Sequence, residues 1–184
     1  MIKTEIWNLA LVEIGSVGNI TDETDPSPEG QACRLAWTSA LDQALAAYPW
    51  SCARREAKLM LRVDRPSVKY RYVYQLPPDC VAVRETIPGR VVYEVSAGNT
   101  LCSNTPKLAV VYTVRIDANA IASHVVPVVV AKLALHLATA MRAGGSSLVQ
   151  TLGQRGELAL SNARTIENRI NFSRGRTPRW RERI

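Results

Sequence analysis

No stretch of this 184-residue chain is apolar for long enough to cross a bilayer. Its richest segment, Val125–Met141, is interrupted by Pro127, Lys132 and His136, and a spanning helix needs roughly 20 apolar residues. The opening residues M-I-K-T-E-I-W-N lack the apolar core of a signal peptide, so neither a membrane protein nor a Sec-exported one is expected. Cys33, Cys52, Cys80 and Cys102 form no C-x-x-C pair, and His124 and His136 are the only histidines. That leaves no zinc-ligand spacing, and the thiols read as small reduced core residues of a cytoplasmic protein. The chain contains no G-x-S-x-G, H-E-x-x-H, G-x-G-x-x-G or glycine-rich phosphate loop. Asp22, Glu23 and Asp25 lack the alternation of a calcium loop. Neither histidine has a carboxylate or nucleophile at helical spacing, so each is expected to be structural. No catalysis, cofactor or metal is expected.

Acidic charge is scarce at the C-terminal end. From Thr151 to Ile184 eight arginines face three glutamates, a net +5, whereas the first 150 residues hold 15 basic and 13 acidic groups, a net +2. The basic character therefore belongs to the tail, which implies an acidic partner for it.

Within these limits the elements follow from periodicity. Ile6, Trp7, Ala10, Leu11 and Ile14 recur at helical spacing over residues 4–14, and Gly15 stops that helix. Ser27 as N-cap, Pro28 at the first helical position and Glu29 begin a second helix over 28–47. Its stripe is Cys33, Ala36, Trp37, Ala40, Leu41, Ala44, Ala47 and Tyr48, and Pro49 ends it just before Trp50. From residue 59 to 115 the period falls to two. Strands are expected at Leu59–Val63, Tyr70–Gln75, Val81–Thr86, Val91–Val95 and Leu108–Val114, a meander turning at Pro88-Gly89 and at Ala97–Asn99. Helical spacing returns over 127–143, apolar nearly all round, and over 147–170. The last helix starts on a capping-box pattern, Ser147 with Gln150, and shows the stripe Leu148, Leu152, Leu158 or Ala159, Ala163, Ile166 and Ile170. Residues 171–184 have no periodicity and read as an extended arm. The expected class is α+β: a bundle of about four helices, a small antiparallel sheet inserted between helices 2 and 3, and the C-terminal arm.

The stretch Y-R-Y-V-Y-Q-L-P-P-D-C, Tyr70 to Cys80, places Tyr70, Tyr72, Tyr74 and Leu76 on one face of a strand. Such a row could stack nucleic-acid bases, but its continuation into Leu76 and the rigid Pro77-Pro78 favours a core or interface wall. Asp79 is expected to bond backbone amides just past the corner.

Taken together these motifs resemble the phage tail tubular protein A family and, more loosely, the head-to-tail adaptor or head-completion proteins beneath the portal of tailed bacteriophages. The resemblance rests on I-W-N-L-A-L-V-E-I-G (Ile6–Gly15, with Trp7), A-L-A-A-Y-P-W-S-C-A-R-R-E-A-K-L (Ala44–Leu59, with Pro49 and Trp50), Tyr70–Cys80, L-A-V-V-Y (Leu108–Tyr112) and A-K-L-A-L-H-L-A (Ala131–Ala138). It implies an adaptor domain over 1–170 and a basic arm over 171–184. It also implies a structural virion protein, assembled in the host cytoplasm and placed at the head–tail interface. Twelve copies would form a ring that docks on the portal protein, extends the DNA channel and meets a tail nozzle or tail-tube protein. Genomic DNA would pass through without sequence-specific binding. By position, Phe172, Arg174, Arg176, Arg179, Trp180, Arg181 and Arg183 would embrace the portal, because arginine and tryptophan dominate interface energetics and arginine forks pair with carboxylates. The alternatives are a tail-tube or nozzle-associated protein, and a nucleic-acid-binding accessory protein that uses the arginine-rich arm.

Overall fold

The computed structural model describes residues 1–17, 19–62, 69–141 and 145–174, with residues 172–174 as backbone alone. The chain is α+β, with four helices and two small antiparallel sheets among the described residues. It divides into two compact units: a helical one built from Met1–Cys52 and the chain from Asp117 onward, and a β one spanning Ala53–Ile116.

The helical unit comprises α1 (Lys3–Glu13), α2 (Pro28–Ala46), α3 (Val126–Ala140) and α4 (Ser146–Arg174). Gly15 ends α1 as the spacing predicts. It sits at φ +79°, its amide donates to the Val12 carbonyl and the Ser16 amide donates to Leu11, both at 3.0 Å, which is the Schellman pattern. Ser27 caps α2 by accepting from the Gly30 amide at 3.1 Å. Residue 30 must be small: a Cβ there would lie 2.7 Å from the Asp25 carbonyl oxygen. The same loop is held by Arg34, which donates to the carbonyls of Glu23 and Asp25 at 2.9 and 2.7 Å. α3 is the centre of the unit and packs against α1, α2 and α4. This explains why Val126, Val128, Val129, Val130, Leu133, Ala134, Leu137 and Ala138 are all buried, and why its sequence is apolar nearly all round.

Four expectations for the helical unit are corrected. α3 ends at Ala140 rather than 143; residues 142–144 lie outside the described residues. Ser147 is inside the first turn of α4 rather than its cap, since the Leu148 amide already donates to the Gly145 carbonyl at 3.1 Å. α4 continues to Arg174, so residues 171–174 are helical rather than part of an extended arm. Its inward stripe is Leu152, Gly156, Leu160, Ala163 and Glu167, while Leu158 and Ile166 face outward. A glutamate thus occupies the inner position assigned to isoleucine.

The β unit holds β1 (Arg54–Lys58), β2 (Met60–Leu61), β3 (Tyr72–Gln75), β4 (Cys80–Ile87), β5 (Tyr93–Ser96), β6 (Thr100–Ser103) and β7 (Ala109–Val114). They form one sheet in the order β1-β7-β4 and another in the order β2-β3-β6-β5. The expected single meander is therefore two sheets, and the β region begins at Arg54 rather than 59. Ala97–Asn99 does turn the β5–β6 hairpin, with Ser96 opposite Thr100. Pro88-Gly89 does not close a hairpin, because β4 and β5 belong to different sheets. The net charge also divides by unit. Residues 53–116 carry eleven basic and five acidic groups, a net +6. The near-neutral first 150 residues are thus an average over a basic β unit and the segments 1–52 and 117–150, which together carry four basic and eight acidic groups, and the basic character is not confined to the tail.

Candidate functional site

In the helical unit the motif residues converge on one polar knot. Trp50 is fully buried, and its indole N–H donates to the Ala44 carbonyl at 2.9 Å, satisfying an acceptor that the end of α2 leaves without a helical partner. Its ring packs against Tyr48 on one side and edge-on against His124 on the other. His124 Nε2 lies 2.7 Å from Oε2 of Glu167, whose side chain has no exposed surface. Oε1 of the same carboxylate accepts from the Ser51 amide at 2.9 Å and faces Asn171 Nδ2 at 3.4 Å. Burial pushes the Glu167 carboxyl up, but the hydrogen bonds from Ser51 and His124 outweigh it and hold the group below the ordinary carboxylate range. Trp7 is also fully buried and meets Trp37 edge-on, 6.4 Å between centroids. His136, the other histidine, meets Gln43 of α2 at 3.1 Å.

Glu167 is the fully buried centre of this knot, while His124 is part-buried and borders a shallow pocket with Pro127, Asn162 and Ile166. Three of the four thiols are held protonated by their surroundings. Burial, with Glu29 nearby, pushes Cys33 up to about 12. Burial also raises Cys52, next to Glu167, and Cys80, next to Asp79, and a raised thiol is a poor thiolate source. Among the described residues no group of three or more His, Cys, Asp or Glu is placed to hold a metal ion, and no helix is long and apolar enough to cross a membrane.

The helical unit also presents an apolar concavity. A groove of about 540 Å³ runs between α1, α3 and α4, walled by Leu9, Val12, Val126, Val130, Leu152 and Ala159. The Arg155–Glu13 ion pair, 2.8 Å, spans its rim.

In the β unit the tyrosine row is broken. Tyr70 precedes β3 and clusters with Val73 and Cys102, while Tyr74, on the opposite face of the strand from Val73, stands across from Leu101 and donates its hydroxyl to the Thr105 carbonyl. Tyr70, Tyr74 and Leu76 are buried and Tyr72 is half-buried, so no continuous aromatic platform faces solvent. At the Pro77-Pro78 corner the Cys80 amide donates to the Pro77 carbonyl at 3.0 Å rather than to the Asp79 side chain. Asp79 acts through its backbone carbonyl, which accepts from Arg115 at 2.9 Å. Asn99, in the left-handed region at φ 57°, donates to Pro77 at 2.7 Å and ties the β5–β6 turn to this corner. Glu167 is the organising residue that sequence reasoning did not single out, and Asn99 was expected only as a turn residue, not as the tie to this corner.

Of the arm residues, Phe172 and Arg174 extend the backbone of α4; Arg176, Arg179, Trp180, Arg181 and Arg183 lie outside the described residues. No protein-family model and no curated protein sequence matches the chain.

Proposed function

We propose that this protein is a structural component of a phage virion, a head-to-tail adaptor. Twelve copies would ring the DNA channel between the portal protein and a tail nozzle or tail-tube protein. The observation that carries the reading is the order of the parts. A Gly-terminated α1 and an α2 closing on Pro49-Trp50 are followed by an inserted β unit with the Tyr70–Cys80 corner, then the Ala-rich α3 and α4, which leads into an arginine-rich segment. The chemistry of the body is consistent with assembly: the helical unit presents an apolar groove of the kind that subunit contacts cover.

The test is negative-stain imaging of the chain mixed with a candidate portal. Twelve-fold rings seated on the portal are expected, and their absence with every portal tried overturns the reading. Because α4 runs to Arg174, the matching truncation removes residues 175–184. It is expected to abolish portal seating while leaving thermal stability unchanged, and seating by the truncated chain would remove the arm from the interface.

A further inference from the structure

The β unit contains a second groove, of about 350 Å³, where the ends of its two sheets meet. The strand registers build it. Lys58, Ala109 and Ile87 stand opposite one another in a row across β1, β7 and β4, and they therefore share a face. Leu61 and Tyr74 stand opposite one another across β2 and β3 and supply the other wall. Lys107, two residues before Ala109, stands at the same end as Lys58. The buried ring of Tyr74 forms part of the floor, while Leu61 and Ile87 remain 55% and 47% exposed. Both lysines are exposed, and among the described residues neither has a hydrogen-bonding or ion-pair partner.

From this geometry we infer that the groove is a docking site for an extended acidic segment of a partner protein, one in which carboxylates alternate with aliphatic side chains. In an extended chain successive side chains point to opposite sides, so aliphatic residues meet Leu61, Ile87 and the floor while carboxylates on the outer side meet the two ammonium groups. Charge complementarity selects this occupant. The groove belongs to the unit that carries a net +6, and the long-range field of that charge steers acidic chains toward it. A floor whose one ring, that of Tyr74, is buried rather than exposed distinguishes it from a nucleic-acid site, which needs stacking surfaces or a row of phosphate contacts. The assignment does not depend on the adaptor reading.

The experiment is fluorescence anisotropy with the full chain and a fluorescein-labelled peptide of alternating glutamate and leucine. A single-stranded oligonucleotide of equal charge and an alternating glutamate–serine peptide serve as competitors. Saturable binding is expected, weakened by about tenfold or more in Lys58→Glu/Lys107→Glu and again in Leu61→Asp, all at exposed positions that leave the circular dichroism spectrum unchanged. Arg71→Glu, an exposed arginine outside the groove with the same charge change per site, should have a much smaller effect. The proposal is overturned if the glutamate–leucine peptide does not saturate, if Leu61→Asp binds it like the parent, or if Arg71→Glu weakens it as much as the lysine changes do. It is equally overturned if the oligonucleotide binds more tightly and loses affinity in the same lysine variant.

Discussion

A carboxylate with no exposed surface must find partners for its oxygens inside the protein, and Glu167 finds them in Ser51, His124 and Asn171. Removing it strands His124 and the Ser51 amide, so Glu167→Ala is expected to cost about 3–5 kcal/mol by urea denaturation. Glu167→Gln, which keeps one acceptor oxygen, should cost about 1–3 kcal/mol. The same group sets a pH dependence. Its folded-state value is lowered, so its contribution is complete above the ordinary carboxylate range and is lost as pH falls through the lowered value. The melting temperature of the parent chain should accordingly drop more steeply below about pH 4.5 than that of Glu167→Gln; parallel profiles would show that the carboxylate does not carry this dependence. Gly30 offers a test in which two effects oppose each other. Alanine is the better helix former by roughly 1 kcal/mol, but its Cβ would meet the Asp25 carbonyl oxygen at 2.7 Å. The clash involves backbone, which cannot rotate away, so Gly30→Ala should destabilise by about 1–3 kcal/mol. Gly30 was legible only as part of an N-terminal helix turn. Glu167 was not legible at all, since His124 and Ser51 lie 43 and 116 residues away and an inward glutamate looks like part of a solvated face.

Among the elements, those with strong local signals fell where their chemistry placed them. The Ser27 cap, Pro28 and the Gly15 stop depend on contacts within a few residues, so α1 and α2 lie within one residue of expectation at each end. Two strands escaped for opposite reasons. β1 reads R-R-E-A-K and four of its five residues are exposed, a charged edge strand with no buried face to reveal it. β6 is four residues long and buried throughout, which removes the alternation that marks a half-buried strand. In α4 the two glycines have different roles. A Cβ at Gly153 would meet nothing within 4 Å, whereas Gly156 is buried and a Cβ there would lie 3.5 Å from the Ala131 side chain of α3. Gly153→Ala is therefore expected to stabilise by about 0.5–1 kcal/mol, read as a raised melting temperature. A leucine at 156 would force α3 and α4 apart and lower it.

For the molecule as a whole, the α+β class and the insertion of β structure between the second and third helices were legible from the change of hydrophobic period alone. The number of sheets was not. It depends on how the Pro77-Pro78 corner carries the chain from β3 to β4, and on Asn99 reaching back to that corner from more than 20 residues away. The distribution of charge was likewise hidden until the units were known, because the basic β unit is flanked by the segments 1–52 and 117–150, which are together acidic and offset it along the sequence. This partition carries its own expectation: the 175–184 truncation, which removes four arginines and one glutamate, should lower the elution salt on an anionic matrix, but residues 53–116 should still retain the truncated chain there. Ser51 and Cys52 are the last residues of the helical unit before the β insertion, and His124 follows soon after the chain returns at Asp117. Glu167 grips both strands of this junction from a third element. The helical unit thereby fastens both chain ends that flank the β insertion to one of its own helices, so the exit and the return of the chain are fixed by a single carboxylate.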